Sequence, residues 1–211
     1  MRASYQTVLR EGRAFLTEKK SKFIASVMPT PTEEEALAFL TRIRSEFPDA
    51  RHNVYAYVID ENHIFRYSDD GEPAQTAGMP VLDVIRKEGL VDVTVVVTRY
   101  FGGILLGTGG LVHMYSSSAK QGLLDAKIIT RMLCNLISVK VDYTLVGKVQ
   151  YAIAAGHYPT EEADYGQEVT FYVLAKIDQT DAFLKQMTEL TNGRAVCTVL
   201  EQKWVDEEGG A

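Results

Sequence analysis

A glycine-rich segment at residues 102–110, with five glycines in nine positions, is the first candidate for chemistry. Glycines let backbone amides approach an anion closely, and a helix after the segment adds the positive end of its dipole. The segment lacks the Gly-Lys-Ser/Thr of a Walker A loop and the spacing of GxGxxG, so a tight strand-to-helix connection is the alternative interpretation. The candidate nucleic-acid or phosphate site comprises Arg66, Arg99, Tyr100, Phe101, Gly102, Gly103, Gly107, Gly109, Gly110 and His113.

An acidic loop precedes this segment. Asp69, Asp70 and Glu72 offer carboxylate oxygens, which a hard cation such as Mg²⁺ prefers, and paired carboxylates can also transfer protons. Their spacing departs from an EF-hand loop, and Asp-Asp-Gly before Glu-Pro is typical of a capped surface turn. The loop is therefore either a Mg²⁺ or acid/base site or a structural turn, and both interpretations stay open.

The histidines, cysteines and serines indicate little further chemistry. The four histidines are scattered, although on a helix His113 would share a face with Gly109 and Gly110. Cys134 and Cys197 stand far apart in apolar surroundings, which predicts buried thiols rather than a zinc site or a disulfide. Because no Gly-x-Ser-x-Gly sequence occurs, we assign no catalytic residue.

The charge is acidic overall but unevenly distributed. The formal net charge is −6, with 15 basic against 16 acidic residues in 1–130 and 7 against 12 in 131–211. This balance disfavours nucleic-acid binding through the charge of the whole protein, but it leaves room for a local basic patch in the first part. No apolar run approaches the roughly 20 residues of a membrane span, and the N-terminus lacks a secretory apolar stretch, so we expect a soluble cytoplasmic protein.

Two α+β domains are expected to position these segments. Alternation with period two predicts that the first two strands pair around Glu11-Gly12, and Thr32 with Glu35 forms a capping box that starts a helix. A β-branched strand, apolar on both faces, leads directly into the glycine-rich segment. The predicted elements are strands over 5–9 and 15–27, a helix from Thr32 to Pro48, a hairpin over 54–59 and 64–67, a helix over 81–87, a strand over 91–97 and a helix over 111–126.

From about residue 134 the pattern becomes strand, helix, strand, strand, helix, strand. This order is the ferredoxin-like split βαβ arrangement, in which two helices cover a four-stranded antiparallel sheet. We therefore predict an N-terminal domain at 1–132, a C-terminal domain at 133–205 and an unstructured tail at 206–211. The elements of the second domain are strands over 134–141, 157–165, 168–177 and 195–204, and helices over 145–155 and 180–190.

Four stretches occur in a defined order along the chain. They are Asp69-Asp70-Gly71-Glu72-Pro73, Thr76-Ala77-Gly78-Met79-Pro80, Val95-Val96-Val97-Thr98-Arg99-Tyr100-Phe101-Gly102-Gly103, and Leu106-Gly107 followed by Gly109-Gly110-Leu111-Val112. Together they resemble the IMPACT family, specifically its bacterial YigZ-type branch. The match covers most of residues 15–130, and the ferredoxin-like part resembles the second domain of that branch.

The resemblance implies a fold and a setting. The N-terminal domain should resemble the second domain of small-subunit ribosomal protein five, and the two domains together should resemble domains four and five of elongation factor G. Eukaryotic members are linked to translational control through a protein partner. The chain departs from the expected pattern at Val54, at Ala74-Gln75 and at His113, where an Arg is frequent. Since His is mostly uncharged near neutral pH, the last departure weakens phosphate binding by the glycine-rich segment.

Three hypotheses follow. The leading one is a non-enzymatic binding protein in translation regulation that contacts RNA or a ribosome-associated protein, without a cofactor and without a membrane. The first alternative is an enzyme that acts on a small phosphorylated or nucleotide ligand with Mg²⁺ at the acidic loop. The second alternative is a protein-interaction module without nucleic-acid contact. The sequence leaves the oligomeric state open.

Overall fold

A computed structural model describes residues 2–208, which form two compact units. Tyr5–Thr130 form the first unit, and Arg131–Glu207 form the second with residues 2–4. Up to the end of the first unit the elements are β1 Ser4–Val8, β2 Gly12–Glu18, β3 Ser21–Pro29, α1 Glu33–Glu46, β4 His52–Ile59, β5 Ile64–Ser68, α2 Gly78–Lys87, β6 Val93–Tyr100 and α3 Gly107–Asp125. They are followed by β7 Ile128–Val141, α4 Val146–Ala155, β8 Thr160–Tyr165, β9 Val169–Lys176, α5 Thr180–Leu190 and β10 Val196–Glu208.

The first unit is built around an antiparallel sheet in the order β2-β3-β6-β4-β5. Its central strand β6 is buried along nearly its whole length, because both faces of the sheet are covered. Val96 packs on one face with Phe39 and Ile43 of α1. Val95 and Val97 belong to the core on the other face, which α2 and α3 cover. This confirms the prediction of a central strand that is apolar on both sides.

The second unit has the ferredoxin-like arrangement that the sequence predicted. Strand β7 pairs with β9 and β10, and β9 pairs with β8. Helices α4 and α5 bury Val149 and Phe183 against Val139 and Phe171 of the sheet. The α+β class is therefore confirmed. Among the helices of residues 2–208, none combines the length and hydrophobicity that crossing a membrane requires.

The predicted pairing of the first two strands is wrong. The segment after β1 does not turn back at Glu11-Gly12, because the amide of Leu9 donates to the carbonyl of Lys127 and the amide of Arg10 to that of Ala126. Strand β2 pairs instead with β3, and Glu18 faces Ser21 across a two-residue turn. Gly12 lies so close to Ala126 that a Cβ there would approach the Ala126 nitrogen to 2.3 Å. A glycine is therefore required at position 12 because two backbone segments pass close to each other there, and not because the chain turns.

Several further boundaries differ from the prediction, since α2 begins at Gly78 rather than 81, β7 at Ile128 rather than 134 and β8 at Thr160 rather than 157. Helix α3 begins at Gly107, four residues before the predicted start, so the last three glycines form its first turn. Strand β10 continues through Glu208, so residues 206–208 extend this strand instead of belonging to an unstructured tail. Residues 209–211 lie outside the described part of the chain.

Candidate functional site

The glycine-rich segment connects β6 to α3, and its glycines serve different purposes. A Cβ at Gly102 would lie 2.0 Å from the carbonyl carbon of Lys20, so no other residue fits there without a backbone shift. Gly103 and Gly107 adopt φ of +84° and +75°, the left-handed region that glycine occupies at little cost. Gly109 has neither constraint, since a Cβ there would meet nothing within 4 Å. Close contact and left-handed backbone therefore explain why glycine stands at 102, 103 and 107. Neither explains the glycine at position 109.

The three acidic side chains of the preceding loop point to different partners. Asp69 accepts hydrogen bonds from the backbone amides of Gln75, Ala77 and Gly78, at 2.8, 3.0 and 2.8 Å, and so holds the start of α2. Asp70 accepts from the amide of Asn53 at 2.6 Å. Within residues 2–208, no group of three or more His, Cys, Asp or Glu is arranged to hold a metal ion. Asp69 and Asp70 thus have the geometry of the structural turn that the sequence left as an alternative.

Glu72 differs from its neighbours because it is buried and joins a polar network. Its Oε1 accepts from Nη1 of Arg99 at 2.5 Å and from the hydroxyl of Tyr115 at 2.9 Å. The Arg99 guanidinium lies near the rings of Phe23 and Phe101, 5.5 and 5.7 Å from their centroids. Burial first, and then the charge of Glu72, raise the pKa of Tyr115, so its hydroxyl stays protonated and donates.

His52 adds a third group to this network. It lies at the start of β4, directly opposite Arg99 in the pairing of β4 with β6. One ring nitrogen, Nδ1, is 2.8 Å from the carbonyl oxygen of Asp70, and Nε2 is 3.8 Å from Oε1 of Glu72. The first contact orients the ring, because a carbonyl only accepts and Nδ1 must then carry the proton. Nε2 thereby faces the carboxylate of Glu72.

Glu72, Arg99 and His52 of this network line a cavity of about 400 Å³ in the first unit. The acidic loop contributes the segment from Gly71 to Pro73, and the glycine-rich segment contributes Phe101 with residues 105–108. Arg51 and His52 complete the wall, with Arg99 and Leu111. The two stretches that the sequence singled out therefore converge on one concavity.

Several predicted site residues lie away from this cavity. Arg66 is exposed on β5, where its Nε is 3.8 Å from Glu33. His113 is exposed on α3, beyond the part of the helix that reaches the cavity. The cavity lining also omits Tyr100, which ends β6, and Gly102, Gly103, Gly109 and Gly110, which belong to the segment that forms the cavity wall.

A basic turn lies beside the glycine-rich segment. We use this name for Lys19, Lys20 and Lys22, which are exposed around the connection of β2 to β3. The turn is held to the segment, because the amide of Gly102 donates to Oγ of Ser21 at 3.1 Å. Lys22 also pairs with Tyr100 across the sheet. The local basic patch that the charge distribution allowed is therefore present in the first unit.

The sequence missed Arg51, His52 and the basic turn as members of the site. Each is brought there by strand pairing over a long sequence separation, such as His52 with Arg99 or Lys22 with Tyr100. The local pattern of each strand does not show which distant strand becomes its neighbour. The one available signal was the pair of adjacent lysines between two alternating runs, a position where hairpins favour Asn-Gly.

Comparisons with known proteins agree with this architecture. Residues 19–123 match the family model described as the Impact N-terminal domain, and residues 139–194 match a domain of unknown function, DUF1949. YvyE of Bacillus subtilis (strain 168), an IMPACT family member, is 41% identical over 193 residues, which span 91% of this chain and 89% of that protein. YigZ of Escherichia coli (strain K12) is 32% identical over 187 residues, which span 87% and 92%. A solved structure described as that of a hypothetical protein is similar at a TM-score of 0.60 and 30% identity, covering 95% of this chain and 99% of its own.

Proposed function

Because the chain belongs to the IMPACT family, we propose that it binds single-stranded RNA in the translation machinery through the basic turn and the mouth of the cavity. The family resemblance implies a role in translational control, and RNA is the macromolecule that this surface suits. The proposal concerns binding and involves no chemical step.

The backbone of the basic turn carries the proposal. Lys19 and Lys20 form the two-residue connection and adopt φ of +44° and +66°. Such turns favour Asn-Gly, because a side chain in the left-handed region costs about 1–2 kcal/mol per residue. Two lysines at these positions therefore lower the stability of the hairpin. The same two residues place two ammonium groups next to the glycine-rich segment. Strained backbone of this kind is concentrated at binding sites.

The mouth of the cavity supplies apolar contact beside these charges. Phe101 is 42% exposed and Leu105 is 82% exposed at the edge of the cavity. An exposed aromatic ring next to cations is a platform on which unpaired bases stack. Glu18 is the acidic neighbour of the basic turn, so three lysines leave a local excess of positive charge despite the negative net charge of the protein.

The alternative of a Mg²⁺-dependent enzyme has less support from the geometry. Asp69 and Asp70 hold backbone amides, and Glu72 is engaged with Arg99. These contacts engage the carboxylates of Asp69 and Asp70 and one oxygen of Glu72, which such an enzyme would use for the metal.

The test is RNA binding measured at several salt concentrations. A labelled oligouridylate is titrated with the wild type and with the double variant Lys19→Asn/Lys20→Gly. Each phosphate contact that is lost lowers the slope of log K against log salt by about 0.7 for a single strand, so we expect a reduction of up to about 1.4. The same change relieves the left-handed backbone fully at position 20 and in part at position 19, so it should raise the free energy of unfolding by about 1–3 kcal/mol.

His63→Gly is the matched control, since His63 has φ of +52° in the connection of β4 to β5. It should also stabilise the protein but leave RNA affinity and the salt slope unchanged. If the double variant binds RNA with the affinity and slope of the wild type, the proposal is wrong. Binding of a protein partner without any RNA binding would favour the interaction module instead.

A further inference from the structure

One edge of the sheet in the second unit is open along β8. Within residues 2–208 this strand pairs with β9 alone and lies at the end of the sheet. The amide of Leu174 in β9 donates to the carbonyl of Pro159, so the even-numbered residues of β9 direct their backbone groups at β8. Asp164 lies opposite one of them and is hydrogen-bonded to β9, whereas Ala163 and Tyr165 direct their amides and carbonyls to the open edge.

A groove of about 360 Å³ lies between this open edge and α4. Its lining is mostly apolar and includes Ile153 and Ala154 of α4, Ala163 and Tyr165 of β8, and Phe171 of β9. Tyr165 is 62% exposed, which leaves apolar surface there for a partner to cover. In a strand added beside β8, the residues opposite Ala163 and Tyr165 carry their side chains on the same face of the sheet. The groove therefore suits apolar side chains at every second residue of such a strand.

The opposite face of β8 is acidic. The side chains of Glu162 and Asp164 alternate with those that line the groove, and both are exposed. Lys203 pairs with the neighbouring Glu161, at 2.5 Å between Nζ and Oε2, and Asp164 accepts a hydrogen bond from the hydroxyl of Tyr172 at 3.2 Å. A second copy of β8 would bring like charges opposite one another, and RNA phosphates would also be repelled. The charge of this edge therefore favours a basic strand.

We infer that β8 receives an extended basic segment of a partner protein as an added strand. The segment pairs with the outward amides and carbonyls of Ala163 and Tyr165, and its apolar side chains enter the groove. Its lysines or arginines lie opposite Glu162 and Asp164. In this mode of recognition, main-chain hydrogen bonds give affinity and alternate side chains give specificity. The site belongs to the second unit and the proposed RNA surface to the first, so neither proposal requires the other.

The experiment measures binding of short labelled peptides to the whole chain by fluorescence anisotropy. One peptide alternates lysine with valine, which matches the acidic face and the apolar groove at the same time. A second peptide alternates glutamate with valine, and a third has the lysines and valines of the first in two separate blocks. We expect the first to bind, with an affinity that falls as salt is raised, and the other two to bind more weakly by roughly tenfold or more.

Two variants test the backbone and the charges separately. Ala163→Pro removes an outward amide, and proline is tolerated on an edge strand at such a position, so we expect a folded protein that binds about tenfold more weakly or less. Glu162→Gln/Asp164→Asn keeps the backbone and should weaken binding about fivefold. The matched control is Asp178→Asn/Glu189→Gln, which removes two exposed carboxylates of the same unit outside the groove and should change nothing. Urea unfolding of each variant shows whether the fold is kept.

Hydrogen exchange gives a readout that does not depend on any variant. Binding of the lysine–valine peptide should slow exchange of the Ala163 and Tyr165 amides and leave that of Asp164, already bonded to β9, nearly unchanged. No binding of this peptide, equal binding of the glutamate–valine peptide, or protection outside β8 would overturn the inference. The acidic side chains would then only protect the edge from pairing. Loss of oligouridylate affinity in Ala163→Pro would also overturn it, since RNA would then bind at this edge.

The RNA proposal is tested independently of this one. Lys19→Asn/Lys20→Gly should leave binding of the lysine–valine peptide unchanged, because neither lysine belongs to the second unit. If that variant also loses the peptide, the peptide binds at the basic turn and the inference is wrong.

Discussion

Asp69→Ala is expected to destabilise the start of α2 through lost capping. The carboxylate accepts three backbone hydrogen bonds, and the amides of Ala77 and Gly78 belong to buried residues. Removal of a capping side chain costs about 0.5–2 kcal/mol, and a net hydrogen bond to a charged group contributes about 1.5–3 kcal/mol. Since the three bonds share one carboxylate and are not additive, we expect a loss of about 2–3 kcal/mol.

Native-state hydrogen exchange measures this loss where it occurs. A change of 2–3 kcal/mol in the local opening free energy lowers the protection of the Ala77 and Gly78 amides about 30- to 150-fold. Asp83→Ala is the control on the same helix, because Asp83 is exposed, and it should stay within about 0.5 kcal/mol of the wild type. The capping role is refuted if Asp69→Ala costs less than about 0.5 kcal/mol. It is also refuted if Mg²⁺ stabilises the wild type but not the variant, since Asp69 would then be a metal ligand.

Two further predictions concern single interactions. Tyr115→Phe keeps the buried ring but removes the hydroxyl donor to Glu72, so urea unfolding should show a loss of about 2 kcal/mol, and an unchanged midpoint would contradict the network. The hydrogen bond from Arg13 holds the pKa of Glu46 below its ordinary value of 4.5. The pair of Arg13 and Glu46 therefore stabilises the folded protein above pH 4.5. This stabilisation is lost as the pH falls through the lowered pKa. Thermal unfolding of Glu46→Gln between pH 3 and pH 7 should therefore depend less on pH than the wild type does, and parallel curves would show that the pair contributes nothing.

The sequence predicted the order and type of most elements, because these depend on local periodicity. The continuous β-branched run of β6, the helix start at Thr32 and the strand–helix order after residue 134 each reflect a local rule, and each is confirmed. The resemblance to the YigZ-type branch of the IMPACT family is also confirmed. Gly12 was misread because a glycine in a turn and a glycine at a close backbone crossing are indistinguishable in the chain itself.

The candidate site was predictable only in part. The sequence placed Arg99, Phe101 and Glu72 among the candidates, and all three line the cavity. The sequence did not distinguish the role of Glu72 from that of Asp69. A carboxylate in a buried hydrogen-bond network and a carboxylate that caps a helix look alike in the chain itself. Distinguishing them requires the tertiary position of Arg99 relative to the loop, which local patterns do not contain.

The most direct test of the recognition surface is a map of backbone amide chemical shifts while an oligouridylate is added to the isotope-labelled protein. We expect the shifts to concentrate on residues 19–22, on residues 101–110 and on Arg51 and His52, and to weaken as salt is raised. Shifts confined to residues 131–207, or no shifts at an RNA concentration that saturates binding, would contradict it.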